Sequence, residues 1–540
     1  MADSIALSKY TTALLEQFKK IKPSVTPDDL SKISVSQTVT FFALAYERIR
    51  NAVEYRDAHL IRRASIERIL RRRMSMNPSG TNEGENIVRE LLWARYFPNE
   101  SLGVVHAEQV QKIIDVYKKI LAQLLVGQPT ASRIYIRQFL IHMMSSEIEE
   151  TLQPQEARQH ALFTFFMFQV LKQKIKIEKT TEEEKNASFF VAIEKGFNQS
   201  DIAYLRYHIF TLWHKPLSKQ KAQEIDRIIP DLNNLFIKID GIINNPNADR
   251  LRRFVNFHKA PFLILAELLK RRGEQAKQIL TDKELLWNDV EQLCREKYAF
   301  TQDKLRVLAM KAIVYIFITK MLLAIILEYP VSLFLYGEVN IFSLIVNTLV
   351  PPLLMFLIAT FTKIPDAKNT KRIYQRIIEI LDNENEFETT LSLVTRENKA
   401  QNPSRIFAFT VFYSMTFIIT FGLLNTVLGL FGFNAVSKLL FMFFVSVVTF
   451  FAYRIRQTAK QFQLPEGEAA FRPFADFFFM PILSVGKFLS RSLSHLNFVT
   501  FIFDFIIEAP FKMIIEVVEE WISFVRQKRD EDRTVVRTLD

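Results

Sequence analysis

The chain of 540 residues has a single cysteine, Cys294, so no disulfide can form within it. One lone thiol fits a reducing compartment. Glycines number only 13, and 8 histidines are scattered without metal-site spacing on a helix. His208 and His214 are six apart, on different helix faces. No serine sits in a Gly-x-Ser-x-Gly elbow. The glycine-containing run Asn77–Asn86 lacks the Gly-Lys-Ser/Thr ending of a phosphate loop. Carboxylate pairs such as Glu149/Glu150 and Glu182–Glu184 read as solvated helix ends. These absences leave no catalytic residue, cofactor or metal to expect. An enzyme would need a site assembled from distant residues. Met1–Lys20 lacks the layout of a signal peptide.

What is present is apolar length. Four stretches, Ala312–Tyr336, Ile341–Phe361, Ile406–Phe431 and Ala435–Tyr453, each match the ~20 helical residues that cross a hydrocarbon core. The turns 337–340 and 432–434 carry no Lys or Arg. The connection 362–405 carries eight, and Arg454, Arg456 and Lys460 follow the last span. Cationic flanks stay cytoplasmic, which predicts a multi-pass protein of the bacterial cytoplasmic membrane with both termini inside.

Residues 1–303 read as a cytoplasmic all-helical domain. Apolar residues recur at three- and four-residue spacing, with no alternating runs. The spacing predicts helices over Ile5–Ile21, Gln37–Arg73, Gly84–Tyr96, His106–Leu125, Ser132–Glu149, Glu156–Ile177, Ala222–Phe236, Ala248–Arg272 and Asp282–Phe300. The net charge is +12, most of it in residues 1–300, a bias toward the anionic inner leaflet or nucleic acid. Ser36–Met76 contains no Gly or Pro and carries nine arginines without a lysine. Arginine grips carboxylates and phosphates with two parallel bonds. Arg62, Arg63, Arg71, Arg72 and Arg73 are therefore candidates for lipid headgroups, an acidic protein partner or RNA. Glu47, Glu54, Asp57 and Glu67 on the same run would instead neutralise a solvated face.

Within the transmembrane domain, residues 304–456, ionisable side chains are costly and mark candidate sites. Lys320 and Glu328 fall in the first span, Asn347 in the second and Asn425 in the third. Eight residues of α-helix put Lys320 and Glu328 about 80° apart around the axis, too far to pair directly. Pro351-Pro352 should free the Asn347 carbonyl, and Gly422 and Gly429 permit close helix approach. Residues 457–525 read as interfacial amphipathic helices. Phe474–Val485 is too short to span, Gly486–Leu496 has a basic face, and Phe498–Val525 carries a charge ladder. They would lie on lipid or dock on the cytoplasmic domain. Residues 526–540 form a charged tail.

The runs FITKMLLAIILEYP (Phe317–Pro330), NTLVPPLLMFLIATF (Asn347–Phe361) and FIFDFIIEAPFKMIIEVVEEW (Phe501–Trp521) resemble an uncharacterised family of multi-span bacterial membrane proteins. EGENIVRELLWARYFPN (Glu83–Asn99) is similar to the soluble half of that family. The resemblance implies architecture and brings no catalytic residues. The expected function is a non-enzymatic scaffold or adaptor that presents the helical domain to a protein partner at the inner face. The alternative is a small transporter or channel subunit, working as a homo-oligomer, that uses the intramembrane polar residues.

Overall fold

The computed structural model describes residues 4–21, 31–35, 58–76, 82–178, 181–382, 391–394, 403–464 and 472–494, with isolated positions between 40 and 47 and between 517 and 525. The described residues are mainly helical, with the four-residue strands Ile175–Glu178 and Leu391–Val394. The chain forms two compact units. One is built on residues 9–256, the other on 257–388 and 394–497 together with residues 1–8.

The first unit contains α1 (Lys9–Lys19), α2 (Ala58–Met76), α3 (Glu83–Trp93), α4 (Val104–Leu124), α5 (Thr130–Leu152), α6 (Pro154–Lys172), α7 (Glu182–Gly196), α8 (Ile202–Trp213), α9 (Ala222–Ile228) and α10 (Leu232–Ile243). Pro129 precedes α5 and Pro154 opens α6, where a missing N–H costs nothing. Pro230 divides the single helix expected over Ala222–Phe236 into α9 and α10. Sequence periodicity does not single out helices α7 and α8. Thr181 and Asp201 cap them with side-chain bonds to backbone N–H groups. The first half of the expected helix Gln37–Arg73 lies almost wholly outside the described residues.

Helix α5 is the centre of this unit. Every residue from Phe139 to Glu149 is buried, and α2, α4 and α8 pack around it. A helix buried all round must satisfy its polar groups within the protein. Glu149, expected on a solvated helix end, is only 4% exposed, because α5 continues past it to Leu152 and neighbouring helices cover it. Glu182–Glu184 are exposed, as expected.

In the second unit, α11 (Pro246–Arg272) enters from the first, and α12 (Ala276–Thr281) leads to α13 (Lys283–Leu323). A π-helical turn, Ala324–Glu328, joins α13 to α14 (Tyr329–Tyr336). Together these form one continuous 54-residue helix, in which the expected helix Asp282–Phe300 and the expected span Ala312–Tyr336 run together. The others are α15 (Ile341–Phe361), α16 (Ala367–Asp382), α17 (Pro403–Leu430), α18 (Ala435–Ala459) and α19 (Arg472–Ser494). Four of the helical segments are long and apolar enough to cross a membrane: Lys283–Tyr336, Ile341–Phe361, Phe407–Leu430 and Ala435–Ala459. Gly337 and Gly432 turn the two short connections at φ 71°, a left-handed conformation that a side chain would strain. Asn340 and Asn434 cap the helices that follow.

Leu305, Ala309, Ile316, Met355, Phe444, Val448 and Ile455 form the shared core of α13, α15 and α18. The basic connection folds back as α16, with Ile373, Ile377, Ile380 and Leu381 buried. Asn369 ties it down, donating to the Tyr298 hydroxyl at 2.7 Å and the Phe462 carbonyl at 2.8 Å. The α19 helix packs along α18 and α17. A Cβ at Gly486 would lie 2.2 Å from the Ser446 carbonyl, so only glycine allows this approach. Phe498–Val525 lies almost wholly outside the described residues.

The charge network of the first unit generates a prediction. Arg72 and Arg73 both donate to Glu90, whose side chain is fully buried. Glu90→Ala removes the buried carboxylate that both guanidinium groups share and should cost about 3–5 kcal/mol in denaturant unfolding. Arg89→Ala removes an exposed pair with Glu85 and should cost under about 1 kcal/mol.

Candidate functional site

Three of the four polar residues singled out in the spans meet. The Lys320 ammonium donates to the Glu328 carboxylate at 3.1 Å. The Asn347 amide donates to the other Glu328 oxygen at 2.5 Å and to the Ser437 carbonyl of α18 at 3.2 Å. Lys320 also lies 5.1 Å from the centre of the Phe444 ring, a cation–π distance. Lys320 and Asn347 are 0% exposed and Glu328 1%. The cluster therefore joins the first, second and fourth apolar helices. Asn425 is not part of it and is exposed on α17.

The expectation that Lys320 and Glu328 could not pair is overturned. It assumed 3.6 residues per turn throughout. The π turn at Ala324–Glu328 bonds i to i+5 and so adds one residue to the turn. One residue is worth about 100°, which brings an offset of about 80° to about 20° on the opposite side. The two side chains then share a face. Pro330 sits at the start of α14, where its missing N–H falls next to the widened turn.

The arginines of α2 are committed inside the first unit. Arg62 binds Glu149 and Glu156, and Arg63 binds Glu67 and Asp201. Arg72 and Arg73 converge on Glu90, and Arg73 also reaches Glu83. Arg71, the most exposed of the five at 45% of its side chain, pairs with Glu67 one turn away. Arg48, Arg50 and Arg56 lie outside the described residues.

A second charged cluster had no local signature in the sequence. His208 on α8 bridges Glu194 at 3.0 Å and Glu150 at 2.7 Å. Tyr204 donates to Glu149, and Ser200 and Asn198 donate to Glu194. His208, Glu149, Glu150, Tyr204, Ser200 and Asn198 line a small cleft with His59, Glu156 and His160. Burial alone would raise the Glu194 carboxyl. His208 with the Ser200 and Asn198 hydrogen bonds outweighs it and lowers the group to about 2. Burial opposes charging His208, but its two carboxylates hold it well above the usual histidine range. Burial, reinforced by Arg62, lowers His59 to about 4. No group of three or more His, Cys, Asp or Glu side chains among the described residues has a metal-binding arrangement.

Two predictions follow from these clusters. Lys320→Met leaves the Glu328 charge buried and unpaired, and should destabilise the protein by about 3–5 kcal/mol. Lys320→Met with Glu328→Gln removes both charges and should recover most of that loss in thermal unfolding in detergent. The second concerns pH. Folded His208 holds a proton that the unfolded chain releases above about 6.5. Its contribution is complete below that pH and is lost as pH rises through its raised folded value. His208→Gln should remove this alkaline slope from the urea midpoint, followed by circular dichroism. Comparison with family models, curated proteins and solved structures finds no match to the chain.

Proposed function

We propose that the protein is a subunit of a small ion transporter or channel, in which opening of the Lys320–Glu328 pair gates passage between the apolar helices. One observation carries this reading: an ion pair fully enclosed among three helices long and apolar enough to span a membrane. Charges in that position are expensive, and ionisable residues retained there mark ion or substrate paths. A π turn supplies the geometry, and such turns cluster at functional sites. Four spans make a narrow unit, so the working form would be an oligomer in the cytoplasmic membrane.

A scaffold or adaptor is the second reading. It is favoured by the compactness of the helical unit, which has a large core cluster drawn from residues between 33 and 248. The arginines of α2 serve that core, so a partner would have to dock on another surface. In that case a stoichiometric companion should co-purify from native membranes.

Flux decides between them. Vesicles reconstituted with the wild-type protein should pass a small ion down its gradient. The charge-free Lys320→Met/Glu328→Gln protein should insert equally well and lose at least tenfold in rate. Equal flux in both would remove the pair from the mechanism.

A further inference from the structure

Helix α17 is the least enclosed of the four apolar helices: 11% of its apolar stretch is buried, against 50% for α18. Its buried side chains are Thr416, Thr420 and Leu428, spaced by multiples of four, and its main packing partners are α18 and α19. Away from these, Ala408, Val411, Met415, Ile418, Gly422 and Asn425 recur at alternating spacings of three and four, and all six are exposed. At ~100° per residue they form one stripe, centred about 180° from the buried residues. Such spacing is the seam of a helix that packs lengthwise on another in a left-handed pair.

Asn425 gives the stripe its chemistry. It lies five residues before Leu430, about 7.5 Å inside the end of the apolar stretch. It is exposed and has no hydrogen-bond partner among the described residues. Lipid tails offer none, and a polar group without a partner in hydrocarbon is expensive. Gly422 stands one turn earlier on the same face. Nothing lies within 4 Å of the point its Cβ would occupy, so a second backbone can come close there. Gly429 continues the spacing, but a Cβ there would lie 3.3 Å from the Lys438 ammonium of α18. The open seam therefore ends at Asn425.

We propose that this face of α17 joins two copies of the chain about a twofold axis along the membrane normal. The amide selects the partner. It carries two donors and an acceptor, so it is complementary to another amide. Copies inserted in one orientation bring each residue opposite its own counterpart at the same depth. Asn425 then meets Asn425 and the two satisfy each other, while Gly422 meets Gly422 and lets the backbones approach. Lipid could cover the apolar part of the stripe, but it could not supply those bonds. The proposal gives the oligomer of the transport reading its interface. It depends on α17 crossing a membrane, and not on what passes through the protein.

The test places fluorescently tagged full-length chains in vesicles of neutral lipid and reads association by energy transfer across a series of protein-to-lipid ratios. Wild type should dimerise. Asn425→Leu should weaken the dimer about tenfold, and Asn425→Gln, which keeps an amide, should retain most of the affinity. Gly422→Leu should abolish association by holding the backbones apart. Both positions are exposed, so the variants should unfold at the wild-type temperature. A second measurement uses Cys294→Ala chains, which have no native thiol. Mild oxidation should cross-link Met415→Cys and Ile418→Cys into dimers. It should not cross-link Leu423→Cys, which is exposed about 100° around the helix from Gly422. Equal affinity in wild type and Asn425→Leu would overturn the proposal, as would cross-linking that does not distinguish the two faces. Capture of a different polypeptide by Ile418→Cys in native membranes would overturn it too. Wild-type chains that stay monomeric at every dilution and still pass ions would remove the interface and leave the transport reading standing. Dimers held by Asn425 without flux would do the reverse.

Discussion

A charge that leaves water must meet its opposite, and both units are arranged around that constraint. In the first, α5 is buried along most of its length and carries Glu147 and Glu149 with it. Arg62, Tyr204, Tyr117 and Ser218 come to those carboxylates from other helices. In the second, Lys320 and Glu328 have no water to fall back on, so they bind each other and draw in Asn347. The balance is asymmetric in both places. A satisfied buried pair adds little net stability over an apolar core, while a broken one is strongly destabilising. Losing one partner therefore costs far more than the intact pair contributes.

The apolar helices were legible because hydrocarbon thickness demands length and composition together, and both are local properties of the chain. The short turns were equally plain, since Gly337 and Gly432 mark them by residue type. Charge was less legible. Nine arginines on a run without a lysine suggest an anionic partner. The run does not reveal that Glu149 is 87 residues from Arg62, or Asp201 138 residues from Arg63. The His208 cluster was hidden for the same reason: Glu150 lies 58 residues away in the chain.

The polar site among the apolar helices was half legible. Lys320, Glu328 and Asn347 stand out as polar residues in apolar runs, and the structure brings them together. Asn425 stands out on the same grounds yet is exposed on α17. Composition identifies cost, and only packing tells which costs are offset. The Ser437 carbonyl had no signal at all, being a backbone group. The pairing of Lys320 with Glu328 was missed because helical periodicity was taken as constant, and no single residue type announces a π turn.

That turn gives the 54-residue helix a property its length alone does not. At ~1.5 Å per residue it is a rod of about 81 Å, stiff along its axis. One surplus residue is stored in it at Ala324–Glu328. Returning that residue to ordinary α geometry would rotate everything beyond it by about 100° relative to everything before. Glu328 would turn off the shared face while Lys320 stayed on it. The helix thus holds a screw-like detent, with the residue count of one turn setting whether the latch between the apolar helices is engaged.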